Sequence, residues 1–254
     1  MKTELDLLKI VQYLKEREKA EGGYSFAPDL YPDIEDTYYA IRTLQILNGE
    51  INRDKTVNYL KTIDWKGVGF PRAIYMLVYL YVSLNVDFPP KLIELLKGDW
   101  AKSHTLDAQY FSDEIRKLIG QPLNPLNSAS HFQFQPNDNL QTLQKKVSIL
   151  LNRNLNFDKH QIIRWVQFCQ NGDGGFGFFP GTTSYMENTY CALEILSNLG
   201  STPLEINTCK KYILGCQTKS GGFGRAPISF PFIESTFQAI AGLVILDEME
   251  GSST

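Results

Sequence analysis

The sequence predicts an all-α protein, a ring of helical hairpins with two helices per unit and about five to six units. Three observations predict it. A template recurs without insertion at Gly22-Gly23-Tyr24, Gly174-Gly175-Phe176 and Gly221-Gly222-Phe223. Counting from the first glycine of each copy, offset +13 is Glu35, Glu187 and Glu234, offset +15 is Thr37, Thr189 and Thr236, and offset +18 is Ala40, Ala192 and Ala239. Leucine recurs at +22 (Leu44, Leu196, Leu243) and +25 (Leu47, Leu199, Leu246), and an aromatic residue at −9 (Tyr13, Trp165, Tyr212). Self-similarity at a fixed period is the signature of repeat architectures, in which each unit buries its apolar face only against its neighbours.

The first unit spans residues 5–50, and its inner helix holds Glu35, Thr37, Ala40 and Leu44. The middle, 51–157, is degenerate. Gly67-Val68-Gly69-Phe70 ahead of a Tyr75–Leu84 helix reads as a shortened second copy. Gly98-Asp99-Trp100 would open a third, and His131-Phe132-Gln133-Phe134 before a helix over Asn137–Leu151 a fourth. Between them Gly120–Asn139 holds Pro122, Pro125, Asn127, Ser128 and Ser130, an irregular stretch of the length expected of a lid or a disordered segment. The fifth unit, 158–200, shows the plan most plainly. Ile162, Ile163, Val166 and Cys169 fall near helical spacing over His160–Gln170, and Asn171-Gly172-Asp173-Gly174-Gly175 stops that helix. A loop with Pro180 and Gly181 follows, and a second helix begins near Glu187, where Ser184-x-x-Glu187 reads as a capping box. That helix is apolar on nearly every side, so it is buried between neighbours. The sixth unit, 204–249, repeats the plan 47 residues later. All of residues 1–254 is expected to form one such ring.

Composition narrows the function. Lysine plus arginine number 25 and aspartate plus glutamate 28, a net charge of −3, which argues against a nucleic-acid surface. The longest apolar run, Ala73–Val86, is 14 residues against the roughly 20 that a membrane span needs, so it is a buried helix. The opening MKTELDLLKI lacks a signal-peptide core, and four cysteines in no tight framework fit a reducing compartment. The expectation is a cytoplasmic protein without membrane spans or nucleic-acid partners.

Gly-Gly-Phe, a loop, then acid-x-Thr-x-x-Ala-x-x-x-Leu on a period of 47 residues resembles the repeats of protein prenyltransferase β-subunits and of squalene and oxidosqualene cyclases. The match is good over about 5–50 and 158–249 and poor between. The resemblance implies an α/α toroid whose inner helices line an apolar cavity and carry chemistry at their N-termini. It also implies an apolar, polyprenyl-like substrate.

Three chemistries follow from that resemblance. A family-type zinc site needs Asp at +11 and Cys at +13 of a late repeat, with a histidine from another. Here +11 is Asp33, Tyr185 or Phe232 and +13 is always Glu. Cys169, Cys191 and Cys216 fall at −5, +17 and −5, and His104, His131 and His160 lie in degenerate or outer segments. No metal ligands are therefore assigned, zinc is not expected, and a partner α-subunit is not expected either. Magnesium would accompany a diphosphate substrate.

Proton-initiated cyclisation needs a strong acid in a dry cavity, which class II cyclases supply from Asp-x-Asp-Asp-Thr. This chain has Asp33-Ile34-Glu35-Asp36-Thr37 at the same offsets, with Glu where the acid Asp belongs. Glu recurs at that offset in every copy, which suits a helix-start device. Asp33 and Asp36 are unique to the first copy, replaced by Tyr185/Asn188 and Phe232/Ser235. Asp33, Glu35 and Asp36 are the candidate catalytic cluster.

Diphosphate binding would draw on Arg225 at +4, Arg72 after Gly69-Phe70-Pro71, and Arg42, which on a buried helix needs a partner such as one of the acids. Aromatic walls suit isoprenoid chains, and Tyr38, Tyr39, Tyr75, Tyr190 and Phe237 are the candidates. The function expected is an isoprenoid-handling, prenyltransferase- or terpene-cyclase-like protein that binds a polyprenyl substrate, with or without diphosphate. The competing class is a non-catalytic toroid, scaffold or ligand-binding, that kept the fold and lost the chemistry. An open apolar cavity at the Asp33–Asp36 cluster favours the enzyme, and a filled ring favours the scaffold.

Overall fold

The computed structural model describes residues 6–98, 105–126 and 130–251. Asp99, Trp100, His104, Asn127 and Ser128, and with them the opening of the third unit, lie outside the described residues. Six inner helices form a closed ring: α2 (Ile34–Ile46), α4 (Pro71–Ser83), α6 (Leu106–Leu118), α7 (Leu140–Asn152), α9 (Met186–Asn198) and α11 (Ile233–Gly251). Each packs on the next, and α11 closes back onto α2. Among the described residues five outer helices precede them: α1 (Leu7–Lys15), α3 (Arg53–Lys61), α5 (Pro90–Leu96), α8 (Lys159–Phe168) and α10 (Ile206–Gly215). This is the all-α toroid expected from the repeats. The run Ala73–Val86 supplies most of α4, and no helix among the described residues is long and apolar enough to cross a membrane.

The paired glycines are where one unit meets the next. The first of each pair has positive φ (+96° at Gly22, +92° at Gly174, +96° at Gly221), a conformation that favours glycine. A Cβ there would overlap the backbone of the following outer helix: Lys55 of α3, Thr208 of α10 and, closing the ring, Lys9 of α1. The second glycine abuts an aromatic ring of that same helix, Tyr59 for Gly23, Tyr212 for Gly175 and Tyr13 for Gly222. At offset −9, Tyr13 and Tyr212 are thus the partners of the preceding unit's glycine, while Trp165, preceded by a degenerate unit, packs with Phe134 instead.

The recurrent threonine has an equally specific task. Thr37, Thr189 and Thr236 are fully buried, and each Oγ1 accepts the backbone N–H of the residue after the glycine pair, Tyr24, Phe176 or Phe223, at 3.0 Å. An unpaired buried N–H costs about 1–3 kcal/mol, so this clamp fixes each loop on its own inner helix. A short antiparallel contact completes the loop: Tyr24 with Asp33, Gly177 with Ser184, and strands β1 (Phe223–Gly224) and β2 (Pro231–Phe232).

Two sequence expectations fail here. Ser184 does not cap α9. Its N-cap is Tyr185 with no side-chain cap bond, while Ser184 Oγ donates to Asp173 at 2.8 Å and accepts from Asn171. The loop closure takes the serine that a capping box would use. The stretch Gly120–Asn139 is not a lid, since none of its described residues lines the cavity. It covers the outside of α7, where Phe132 packs with Ile149 and Leu150 in place of an outer helix. Buried ion pairs pin it. Arg153 binds Asp113 at 2.6 and 2.7 Å and the Asn124 carbonyl at 2.7 Å, and Lys146 binds Asp138 at 2.7 Å and the Gln133 carbonyl.

Candidate functional site

The ring is open inside. A cavity of about 1100 Å³ runs between the inner helices, above the ~300–1000 Å³ of drug-sized pockets. Its walls follow from helix geometry. Residues two, five and nine of each inner helix fall on one face, because i, i+3 and i+7 lie within one stripe of a 3.6-residue period. The six helices stand in register, so these positions form three layers.

The second residues are Glu35, Arg72, Asp107, Gln141, Glu187 and Glu234, a charged rim. The fifth are Tyr38, Tyr75, Tyr110, Gln144, Tyr190 and Phe237, an aromatic belt. The ninth are Arg42, Tyr79, Glu114, Ser148, Glu194 and Ala241, of which Arg42, Glu114 and Glu194 line the cavity as a polar floor about 10 Å below the rim at ~1.5 Å per residue. Neighbouring helices meet within each layer. Arg72 joins Glu35 and Glu234 (3.2 Å) at the rim, Tyr38 meets Tyr75 and Tyr190 meets Phe237 (ring centroids 5.9 and 5.6 Å apart) in the belt, and Ser148 donates to Glu114 at 3.1 Å below.

At the rim each arginine already holds a carboxylate. Arg72 Nη2 binds Glu35, Glu234 and the Tyr39 hydroxyl (3.0 Å), and Tyr39 donates in turn to Glu234 at 3.0 Å. Arg225 reaches from the loop before α11 to Glu187, with Nε at 2.6 Å, and stacks over Tyr185 at 4.1 Å. Lys145 pairs with Asp107 at 2.6 Å. Phe26 and Phe232, with rings 5.5 Å apart, and the exposed Phe70 flank the entrance. Glu187 and Glu234, expected as helix-start devices, turn into the ring beside the candidate Glu35, and all three hold arginines.

The aspartates of the first copy do the backbone work instead. Asp33 is the N-cap of α2 and accepts from Asp36 N at 2.7 Å, and Asp36 accepts from Phe26 N at 2.7 Å. Both nevertheless border the cavity, beside Glu35. Burial, then the neighbouring Asp33 charge, pushes the Asp36 carboxyl up to about 7. Burial also raises Glu35, against the pull of Arg72.

Arg42 finds no acid partner of the kind the sequence reading expected. It donates to the Tyr38 hydroxyl at 2.8 Å and lies over the rings of Phe237 (4.3 Å), Tyr79 (5.3 Å) and Tyr38 (5.4 Å). Across the floor, Glu194 accepts from Tyr190 (2.6 Å) and Gln144 (3.0 Å), and burial raises its carboxyl.

All of Asp33, Glu35, Asp36, Tyr38, Tyr39, Arg42, Arg72, Tyr75, Tyr190, Arg225 and Phe237 border this one cavity. The sequence reading missed Tyr110, Glu114, Gln144, Glu187, Glu194 and Glu234, which join them. Counting positions two, five and nine along each inner helix would have found them.

The zinc that the fold family implies does not fit these residues. Among the described residues no group of three or more His, Cys, Asp or Glu side chains is placed to hold a metal ion. Cys191 borders the cavity alone, and Cys169, Cys209 and Cys216 are buried elsewhere.

The sequence matches the family described as the Prenyltransferase alpha-alpha toroid domain over residues 2–74 and 112–254. No curated protein matches the chain in sequence. Among solved structures, Candida albicans protein geranylgeranyltransferase-I complexed with GGPP is similar over 96% of this chain and 92% of that one, at 13% identity and a TM-score of 0.44. With more than half of its length matched by the family, and the ring of inner helices in place, the chain belongs to the prenyltransferase α-α toroid domain family.

Proposed function

We propose that this protein binds a polyprenyl-like isoprenoid in the central cavity and acts on it without zinc. The observation that carries this reading is the open ring: an aromatic belt fed by five of the six inner helices, with Phe26, Phe70 and Phe232 at its entrance. A scaffold would fill that space with side chains, because an empty apolar interior forfeits dispersion contacts. Five aromatic rings at one level present π faces to a hydrocarbon chain or a developing carbocation. Tyr38, Tyr39, Tyr75, Tyr190 and Phe237 would form the wall, with Arg42, Arg72 and Arg225 set to orient a polar end. Nothing in this reading calls for a partner α-subunit or a cytoplasmic zinc supply, and magnesium enters only with a diphosphate.

For chemistry, Asp36 is the proton donor of choice. Its carboxyl is half protonated near neutrality, and Asp33 and Glu35 lie beside it. Donation would move the Asp36 proton to a substrate alkene, leaving a carbocation and a carboxylate held by the Phe26 N–H, and loss of a proton from the carbon next to the cation back to that carboxylate would complete an isomerisation. A second reading has its own observation. Asp33 and Asp36 both serve backbone N–H groups, as structural acids do, so the same cavity could serve a non-catalytic isoprenoid carrier.

The test is titration with a fluorescent geranylgeranyl-chain probe, followed by competition with polyprenyl hydrocarbons, alcohols and diphosphates. Saturable binding of one probe per chain is expected. Absence of saturable binding by every member overturns the reading. Turnover lost in Asp36→Asn with binding retained supports the enzyme, and a wild-type protein that binds without turnover supports the carrier.

A further inference from the structure

We infer that the cavity selects a neutral, oxygen-bearing isoprenoid, an alcohol or a carbonyl compound, and disfavours the diphosphate. The inference rests on the isoprenoid reading above and names its substrate class. It is carried by the charge at the entrance and by the chemistry of the floor.

At the entrance Asp33, Glu35, Asp36, Glu187 and Glu234 stand against Arg72 and Arg225. A diphosphate carries two to three negative charges and would have to enter through this acidic ring. Its only available cations there are spoken for. Arg72 bridges Glu35 and Glu234, and Arg225 holds Glu187 through two nitrogens. Recruiting either arginine would strand a carboxylate beside the incoming anion, and like charges at such range repel through a partly desolvated medium. Lys145, the next cation along the wall, is held by Asp107. Among the described residues no group of acids is arranged to hold a divalent cation that would screen the phosphates.

The floor has the opposite character. Arg42 is the cavity-lining cation with no carboxylate within ion-pair distance among the described residues, and Nη1 alone is committed, to the Tyr38 hydroxyl. The residue borders the cavity. Glu194 and Glu114 face the same space as acceptors, and the Tyr190 and Gln144 groups are already used on Glu194. Glu114 is paired with Lys117 at 3.5 Å and burial raises the Glu194 carboxyl, so the floor carries little net charge beyond the single guanidinium, too little for a diphosphate and suited to a neutral group. A hydroxyl can accept from Arg42 and donate to a glutamate, and a carbonyl can accept from Arg42. Between entrance and floor the tyrosine belt takes the chain. The ligand therefore sits with its oxygen about 10 Å below the rim and its chain running up to the aromatic entrance.

The experiment is equilibrium binding of three probes of equal chain length: geranylgeraniol, geranylgeranyl diphosphate and a C20 isoprenoid hydrocarbon, at low salt, with and without Mg²⁺. Geranylgeraniol is expected to bind at least about tenfold tighter than either of the others, the worth of one hydrogen bond to a charged group. Arg42→Met should erase the preference for the alcohol over the hydrocarbon, whatever it does to the affinity of the hydrocarbon itself. Diphosphate binding as tight as the alcohol, with or without Mg²⁺, overturns the inference and leaves the isoprenoid reading standing. An alcohol that binds no tighter than the hydrocarbon in the wild type overturns the role of the floor, whether or not Arg42→Met folds. Binding by none of the three removes both readings together.

Discussion

Replacing Gly221 by alanine should open the seam of the ring. Gly221 has a φ of +96°, and a Cβ there would overlap the carbonyl of Lys9, so the last unit and the first are in backbone contact at this point. An L-residue in the left-handed region costs about 1–2 kcal/mol. Forcing a methyl against a backbone group that cannot rotate away adds about 1–3 kcal/mol. The sum is ~2–5 kcal/mol, or roughly 5–15 °C in Tm for a chain of this size. Gly181 isolates the first contribution. Its φ is +77°, yet nothing stands within 4 Å of the Cβ position, so Gly181→Ala should cost only ~1–2 kcal/mol. Urea unfolding of both variants measures the difference, and hydrogen exchange locates it: the amides of α1 should lose protection in Gly221→Ala and keep it in Gly181→Ala. Equal destabilisation of the two would refute the claim that the glycine pair exists for contact between units.

Four further outcomes follow from the same geometry. Thr189→Val keeps the shape of the side chain but strands the buried Phe176 N–H, and should cost about 1–3 kcal/mol in urea unfolding, as should Thr236→Val at Phe223. Asp113→Ala leaves Arg153 buried without its carboxylate and should cost about 3–5 kcal/mol, a loss that Asp107→Ala on the exposed rim of the same helix will not show. Glu187→Gln should change stability by less than about 1 kcal/mol, because its partner Arg225 is more than half exposed. Asp36 has a folded-state pKa raised from 3.8 to about 7, so the folded protein binds more protons than the unfolded chain between those values, and stability should fall as pH rises from 4 to 7. Asp36→Asn keeps an acceptor for Phe26 and should flatten that decline; an unchanged pH profile would contradict the assignment.

The fold was legible because the repeat writes its contacts into fixed offsets. Glycine at 0 and +1, threonine at +15 and an aromatic residue at −9 are each half of one physical interaction, and the interaction recurs wherever the two halves do. Gly174 needs Thr208 of the next outer helix, Phe176 needs Thr189, and Gly175 needs Tyr212. The third and fourth units were illegible for the complementary reason. There Arg153 at the end of α7 is joined to Asp113 of α6, and Lys146 of α7 holds Asp138 of the loop before it, pairs that appear once and have no counterpart in the other copies. A unique ion pair across 40 residues leaves no period to detect, and the covering of α7 by the loop around Phe132 has no helical pattern.

The candidate site was half legible, and its error has a physical cause. Recurrence of Glu35, Glu187 and Glu234 suggested a service common to all copies, and the service expected at a helix start is capping. Uniqueness of Asp33 and Asp36 suggested chemistry. The geometry turns both sets to the cavity, and it is the two aspartates that also serve backbone N–H groups. A side chain that caps must lie beside the first N–H groups, as Asp33 does at 2.7 Å, while Asp36 holds the N–H of Phe26 in the preceding loop at 2.7 Å. The second residue of an inner helix instead points along the helix face into the ring, whatever its identity. Repetition at that position therefore records a layer of the cavity wall. It leaves a glutamate facing the neighbouring unit's guanidinium at two of the six inter-helix seams, Glu187 with Arg225 and Glu35 with Arg72. In a ring built from repeats, a functional wall is itself periodic, so a residue's recurrence cannot separate structure from function. What separates them is the direction its helix position imposes, and that direction follows from the offset once the start of the helix is known.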